Sequence, residues 1–312
     1  MIRIPFIAAL GMALTFMTSA SIAFEIEHNQ GTLTLDQTPQ RLVSFDLAHL
    51  DTLNALDIEV VGVPKSVYSG SLEAFNDAPV VGTLFEPDYE TLAKQYPDLI
   101  IAGGRSAKAM PKLATVAPTI DFYYHPSRFL DSVKESSLAI GQAWGKKEQA
   151  QQAYDDLLTQ VDALHAVNDE KTGAMLFIMK DNVIPHAPGD RFGYAYELTG
   201  LEAVLPAREP DEVDQPRPQP GTPEAAAAKR AAEVSKIAEA DPDWLIVLDR
   251  GAINNGEKTA SKTLAAHPEL SNTTAFQQGR VYYTNPNSWY VVTGGLNNLK
   301  AITADMIQAM QK

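Results

Sequence analysis

A ten-residue pattern occurs twice in this chain. Residues Tyr96–Arg105 read YPDLIIAGGR and residues Asp241–Arg250 read DPDWLIVLDR, with the Pro-Asp pair, the apolar run and the terminal arginine in register. Upstream, TLAKQ of the first copy aligns with KIAEA of the second, so each copy predicts a short helix, a turn and a strand that ends at an arginine. A chain that repeats itself in this way is predicted to fold as two similar lobes.

The repeated strands predict where a ligand would lie. The runs LIIA and WLIV are four apolar residues bounded by turn signals, which is typical of strands buried on both faces of a parallel α/β sheet. In such sheets, ligands gather at the carboxyl ends of the strands. Arg105 and Arg250 are therefore predicted to face a cleft from the two lobes, although either could instead bridge acids on the surface.

The remaining patterns complete an α/β plan. Phe24 to Asp36 alternates around a turn and predicts a β-hairpin, and Arg41 to Pro64 predicts a βαβ unit. A helical apolar stripe covers 146–167 and predicts a long connecting helix of about 33 Å. We therefore expect a first lobe over 24–145, the connecting helix over 146–167 and a second lobe over 168–312, which a proline-rich and acidic loop interrupts at 206–223.

The amino terminus and the composition indicate an exported protein. Residues 1–23 combine an early arginine, an apolar stretch shorter than a bilayer span and several small residues, as a cleaved signal peptide does. The chain of 312 residues has no cysteine, which excludes disulfides, thiolate metal sites and a lipid-modified amino-terminal cysteine. These features predict a freely soluble periplasmic product without a lipid anchor. The net charge of −14 argues against nucleic acid as a partner.

Common catalytic signatures are absent from the sequence. It contains no GxxxxGK[ST], HExxH or GxSxG motif, and its six histidines are scattered. Two further regions are predicted to reach the cleft. Arg191 directly precedes the first helix of the second lobe, and Trp289 and Tyr290 follow its last strand, although these two aromatic residues could also belong to the core. Three converging guanidinium groups would suit a polyanion or several aromatic oxygen atoms.

Four segments together resemble a known family: VGTLFEPDYETLAKQYPDLIIAGGR, GDRFGYAYELTG, PDWLIVLDR and NPNSWYVVTGGLNNL. They are similar to the periplasmic substrate-binding proteins of iron(III)-siderophore ABC importers, in the helical-backbone family that also binds vitamin B12. The similarity covers about Arg41 to Lys312 and is greatest to binders of catecholate and mixed-ligand siderophores of the anguibactin and petrobactin type. It implies two Rossmann-like lobes joined by one long helix, with a metal chelate in the cleft.

The resemblance also implies roles for individual residues. Arg105, Arg191 and Arg250 would surround the anionic iron centre, and Tyr290 could ligate iron directly through a hard phenolate oxygen. Relatives carry an iron-ligating histidine in the loop that 206–223 replaces, where this chain has none. That departure favours a hexadentate chelate or a contact through tyrosine alone, with His186 as a weak substitute candidate.

Partners follow from the same resemblance. The protein would act as a monomer, without an intrinsic cofactor, and would deliver the iron(III)-siderophore to an inner-membrane permease and its ATPase. Glu90 matches the glutamate through which relatives dock on the permease from the first lobe. In the second lobe Ser235 stands at the matching position, and Glu233 lies two residues earlier. A binding protein for haem, cobalamin or another metal chelate, and an exported enzyme on the same scaffold, remain as alternatives.

Overall fold

The protein is described by a computed structural model that covers residues 24–208 and 222–311. The predicted signal peptide and most of the predicted loop, 209–221, lie outside the described residues. We call the part before residue 146 the first lobe and the part after residue 167 the second lobe. No helix in the two described ranges is long and apolar enough to cross a membrane.

A parallel sheet forms the centre of the first lobe. β3 pairs with β6 and β6 with β7, β4 pairs with β5, and a parallel bridge from Val43 to Gly62 joins the two sets in the order β5-β4-β3-β6-β7. The predicted hairpin β1–β2 precedes this sheet. The strands are β1 Phe24–His28, β2 Gly31–Leu35, β3 Leu42–Ser44, β4 Val63–Lys65, β5 Val80–Thr83, β6 Leu99–Ala102 and β7 Thr119–Asp121.

The second lobe repeats this plan. Its parallel strands lie in the order β10-β8-β11-β12, and β9 pairs antiparallel with β8. The two sheets therefore share one strand order, in which β8 corresponds to β3, β10 to β4, β11 to β6 and β12 to β7. The strands are β8 Thr172–Met179, β9 Asn182–His186, β10 Glu202–Ala203, β11 Trp244–Asp249 and β12 Val281–Tyr283. The shared order confirms the duplicated α/β architecture that the repeat predicts.

The helices lie around the two sheets and between them. They are α1 Leu47–Ala55, α2 Tyr89–Lys94, α3 Met110–Leu113, α4 Phe129–Ala143, α5 Lys147–Val167, α6 Tyr194–Thr199, α7 Pro223–Ala240, α8 Ala260–Ala266, α9 Thr274–Gln277 and α10 Leu296–Met310. Short 3₁₀ turns occur at Gly70–Phe75, Gly104–Ala109, Ile253–Asn255 and Leu270–Asn272.

The predicted connecting helix is α5, whose 21 residues give it a length of about 32 Å. Ala150 near its start packs in the first-lobe core with Ile140. Tyr154, Leu157 and Val161 pack in the second-lobe core. Because both cores use one continuous helix, α5 joins the two lobes as a rigid element rather than as an extended linker.

The lobes also meet directly, where α1 of the first lobe contacts α10 of the second. Gly294 and Gly295 precede α10 with φ of 142° and 77°, which are values that favour glycine. A Cβ atom would overlap the ring of Tyr124 at Gly294 and the carboxylate of Asp51 at Gly295. The two glycines therefore allow the second lobe to approach the first at van der Waals distance.

Candidate functional site

Tyr290 lies in the segment that follows β12. Residues Asn287–Val292 form a single π-helical turn, a conformation that is frequent at functional sites. The Asn285 side chain accepts hydrogen bonds from the first backbone amides of this turn, at 3.0 and 3.2 Å. The Thr293 hydroxyl donates to the carbonyls of Trp289 and Tyr290 at its other end. The segment thus has a defined geometry in the structure.

Three arginines surround the Tyr290 ring. The guanidinium carbons of Arg191, Arg250 and Arg105 lie 4.6, 5.0 and 5.6 Å from the ring centroid. Arg105 follows β6, Arg250 follows β11 and Arg191 lies in the turn before α6. The structure therefore brings together four of the predicted site residues, which come from both lobes.

Arg105 differs from the other two arginines because its guanidinium binds the opposite lobe. It donates from Nη1 to the carbonyl of Val291 at 3.0 Å and from Nη2 to the carbonyl of Tyr290. Its side chain is half-buried, whereas Arg191 and Arg250 are exposed. Sequence reasoning missed these contacts, since the acceptors are backbone atoms far away along the chain.

The charges at this site favour an anion. Burial, followed by the nearby positive charge of Arg191, lowers the pKa of Arg105. Burial alone would raise the pKa of Tyr290, but the charges and hydrogen bonds of Arg191 and Arg250 outweigh it and hold that pKa below 10. An anion placed between the guanidinium groups would relieve their mutual repulsion. The phenol is correspondingly easier to ionise than an ordinary tyrosine.

Aromatic side chains of the second lobe support the Tyr290 ring. Phe177 of β8 stacks on it, with an interplanar angle of 8° and centroids 5.8 Å apart. Phe192 lies 6.0 Å from it and under the Arg191 guanidinium at 4.9 Å. His186, the weak substitute candidate, packs edge-on against Phe192 at 4.9 Å. Sequence reasoning missed Phe177 and Phe192, because an aromatic residue inside a buried strand or beside a helix predicts core.

The expectation that Trp289 lies beside the ligand is wrong. Its side chain is 0% exposed and stacks on Tyr194 at 5.1 Å within the second-lobe core. Successive side chains of a helical turn point in different directions. As a result Trp289 packs inward while Tyr290 remains partly exposed among the arginines.

The two glutamates expected to dock on a permease have different surroundings. Glu90, in the first turn of α2, is 82% exposed and pairs with Lys94 at 2.6 Å. Glu233 on α7 is only 14% exposed and pairs with Arg208 at 3.1 Å, while Arg208 also binds Asp190 at 2.9 Å. Glu233 therefore belongs to a structural ion-pair network, which argues against its predicted docking role. Ser235, the aligned position, is half-buried.

The protein's own side chains form no evident metal centre in the part of the chain that the structure describes. No group of three or more histidine, aspartate and glutamate residues there could hold a metal ion. The four-residue cluster of Arg105, Arg191, Arg250 and Tyr290 is suited to an anion.

Comparison with known proteins places this geometry in context. The model of the family described as "Periplasmic binding protein" matches residues 42–288. The chain is 26% identical over 297 residues to the ferric-anguibactin-binding protein FatB of Vibrio anguillarum, covering 92% of this chain and 87% of the relative. It is 27% identical over 288 residues to the petrobactin-binding protein YclQ of Bacillus subtilis, covering 88% and 84%.

Solved structures agree with these relatives. The crystal structure of YclQ superposes with a TM-score of 0.79 at 22% identity, covering 93% of this chain and 99% of that one, and shows the same fold. The periplasmic catecholate-siderophore binding protein VctP of Vibrio cholerae gives a TM-score of 0.74 at 26% identity, covering 91% and 99%. The chain belongs to the periplasmic binding protein family.

Proposed function

We propose that this protein captures an iron(III)-siderophore complex in the periplasm and delivers it to the permease of an ABC importer. The observation that carries the proposal is the convergence of three guanidinium groups, from both lobes, on the phenol of Tyr290. Relatives named for ferric anguibactin, petrobactin and catecholate siderophores support this choice of ligand class.

The arginines would bind the anionic oxygens of the chelate. A catecholate or carboxylate oxygen on iron(III) keeps negative charge, and guanidinium groups donate hydrogen bonds to such oxygens in a fixed planar geometry. Each charged hydrogen bond of this kind contributes about 1.5 to 3 kcal/mol. Because the molecule has a net charge of −14, an anionic chelate would bind at this local positive cluster rather than elsewhere on the surface.

Tyr290 would complete the coordination of a siderophore that leaves iron sites open. Phenolate is a hard oxygen donor, and the lowered pKa of this phenol favours the ionised form that binds iron(III). We expect Tyr290→Phe to remove a visible charge-transfer band when the ligand is tetradentate and to leave the spectrum of a hexadentate complex unchanged. An unchanged spectrum with both classes would mean that Tyr290 does not ligate iron.

Export and assembly complete the proposal. Residues 1–23 would be removed on export, the mature protein would be monomeric, and Glu90 would contact the permease that an ATPase drives. Mass spectrometry of the periplasmic protein checks the new amino terminus, and light scattering checks the monomer. A retained leader or a stable dimer would contradict these parts of the proposal.

Intrinsic tryptophan fluorescence provides the central test. Trp289 is adjacent to Tyr290, so an iron chelate bound among the arginines should quench it at micromolar concentration. The panel contains ferric catecholate, mixed-ligand and citrate complexes, their iron-free forms, haem and cobalamin. Quenching by haem or cobalamin alone would overturn the proposal.

A pair of arginine variants controls for a general effect of charge. Arg250→Ala should weaken binding of the ferric ligand about 10- to 150-fold, in line with one charged hydrogen bond. Arg128→Ala removes an arginine that is 50% exposed and pairs with Glu135, outside the four-residue cluster, and should leave affinity unchanged. Equal affinities of both variants would show that the cluster is not the binding site.

A further inference from the structure

Two long helices lack a capping side chain of their own. α4 and α10 each have 15 residues, and neither Arg128 before α4 nor Gly295 before α10 caps its helix with a side chain. The first backbone amides of a helix have no partner within the helix and must find one elsewhere. In both helices that partner is a carboxylate from the other lobe.

Asp51 of α1 caps α10. Its Oδ2 accepts hydrogen bonds from the amides of Asn297 at 2.8 Å and Asn298 at 3.0 Å, and its Oδ1 accepts from the Ser71 hydroxyl at 2.5 Å. The side chain is fully buried. A negative charge at this end of a helix is also favourable for the helix dipole. The first lobe thus supplies the N-cap of the last helix of the second lobe.

Glu197 of α6 makes the reverse contact. Its Oε1 accepts from the amide of Phe129 at 2.9 Å, and its Oε2 accepts from the amide of Leu130 at 3.0 Å. These are the first two residues of α4, so the second lobe supplies the N-cap of the last helix of the first lobe.

The two caps are related by the duplication. α1 follows β3 and α6 lies between β8 and β10, so both occupy the first helical position of their lobe. α4 follows β7 and α10 follows β12, so both occupy the last. Each lobe therefore uses its first helix to cap the last helix of the other.

Both caps involve helices that follow residues of the proposed site along the chain. Asp51 holds the helix that begins directly after the π-helical turn of Tyr290. Glu197 belongs to the helix that begins directly after the turn of Arg191. We propose that Asp51 and Glu197 are positioning residues, a reciprocal pair of inter-lobe caps that holds the walls of the cleft at a fixed separation before any ligand binds.

A distance measurement across the cleft tests this inference directly. The chain has no cysteine, so Ala93→Cys on α2 and Ser261→Cys on α8 would introduce the only two sites for spin labels, both at exposed positions. Double electron–electron resonance on the unliganded protein should give one narrow distance. Adding Asp51→Ala and Glu197→Ala together should at least double the width of the distribution, and each single change should broaden it less.

A cap within one lobe is the matched control. Asp88 caps α2 through the amides of Glu90 and Thr91, at 3.2 and 3.1 Å, inside the first lobe. Asp88→Ala should leave the distribution unchanged. A double variant that is folded by near-ultraviolet circular dichroism and keeps the narrow distance would overturn the inference. If the double variant does not fold, narrow distances in both single variants would overturn it.

Measurement of ligand affinity is a second test, and its expected result rests on the proposed function. Variants with a broadened distance should bind the ferric ligand at least 10-fold more weakly, although every arginine of the cluster is intact. The two hypotheses can fail separately. If the variants show a broadened distance distribution but the protein binds no iron chelate, the caps are supported and the proposed ligand is refuted. If the variants bind the ferric ligand tightly and show no broadening, only the proposal of the caps is refuted.

Discussion

The two lobes share a strand order and an arginine at the same strand end, but they use that arginine differently. Arg250 is exposed beside Tyr290, whereas Arg105 is half-buried and donates to two backbone carbonyls of the opposite lobe. Phe177 and Phe192, which lie against the Tyr290 ring, both belong to the second lobe. The lobes thus share the position of an arginine but differ in what surrounds it: Arg105 contacts the opposite lobe, and Arg250 lies beside Tyr290 of its own lobe.

The outer surfaces of the lobes differ in the same way. Glu90 presents a highly exposed carboxylate on α2, but Glu233 on α7 is held by Arg208 in a network with Asp190. Asp190 also caps the turn before Arg191 through the amide of Ala187, at 2.9 Å. The glutamate of the second lobe is therefore paired within its own lobe.

The largest expected effect is at the junction that both lobes share. Gly295→Ala combines a positive φ with an overlap on Asp51, and should lower the free energy of unfolding by about 2 to 4 kcal/mol. Gly145→Ala is the control, because Gly145 has a φ of 67° but no heavy atom within 4 Å of an added Cβ. Urea unfolding measures the loss of stability in both variants. The difference between the two losses gives the effect of the overlap without that of the backbone strain. Equal losses would mean that the α1–α10 contact is not tightly packed.

The Asp51 cap is expected to respond to pH. Burial raises the pKa of Asp51 from 3.8 to about 6, despite hydrogen bonds that lower it. The folded protein then binds this proton more tightly than the unfolded chain, so stability gained from Asp51 is complete below about pH 4 and is lost as pH rises through 6. Relative to Asp51→Asn, the wild type should gain about 2 kcal/mol between pH 7 and pH 4.

Chemical unfolding of these two proteins at a series of pH values measures that difference. Other carboxylates titrate equally in both proteins and cancel in the comparison. A pH-independent difference would show that Asp51 does not titrate in this window.

The next largest effect distinguishes Arg105 from Arg250, the two arginines at equivalent strand ends. Arg105→Ala should weaken ligand binding and also lower stability by about 1 to 3 kcal/mol, because it leaves the carbonyls of Tyr290 and Val291 without their donor. Arg250→Ala should weaken binding by a similar factor with no loss of stability. Titration calorimetry and thermal unfolding distinguish the two. Equal stability of both variants would contradict the structural role of Arg105.

The smallest expected effect on stability concerns Glu90. Because Glu90 and Lys94 are 82% and 66% exposed, Glu90→Gln should change the free energy of unfolding by less than about 0.5 kcal/mol. If Glu90 contacts the permease, the same variant should bind the ferric ligand normally but stimulate the ATPase activity of the reconstituted importer less. Glu86→Gln, a nearby surface control, should stimulate normally. Normal stimulation by Glu90→Gln would refute the docking role.

Local patterns predicted most of the elements. The apolar runs at β6 and β11 and the stripe of α5 are readable from neighbouring residues, and the structure confirms them. Sequence reasoning missed α4, whose buried face contains Ser132, Ser136 and Ser137 instead of a continuous apolar stripe. It also missed β9, which includes Pro185 and has only five residues.

The repeat, read from sequence alone, determined that two lobes would place Arg105 and Arg250 at equivalent strand ends, because strand periodicity and turn chemistry act between near neighbours. Only the tertiary structure decided that Trp289 is core, that Glu233 is paired, that Arg105 binds the opposite lobe, and that Asp51 and Glu197 exchange helix caps. Each of these outcomes depends on burial or on a partner far along the chain, which packing selects and local sequence does not specify.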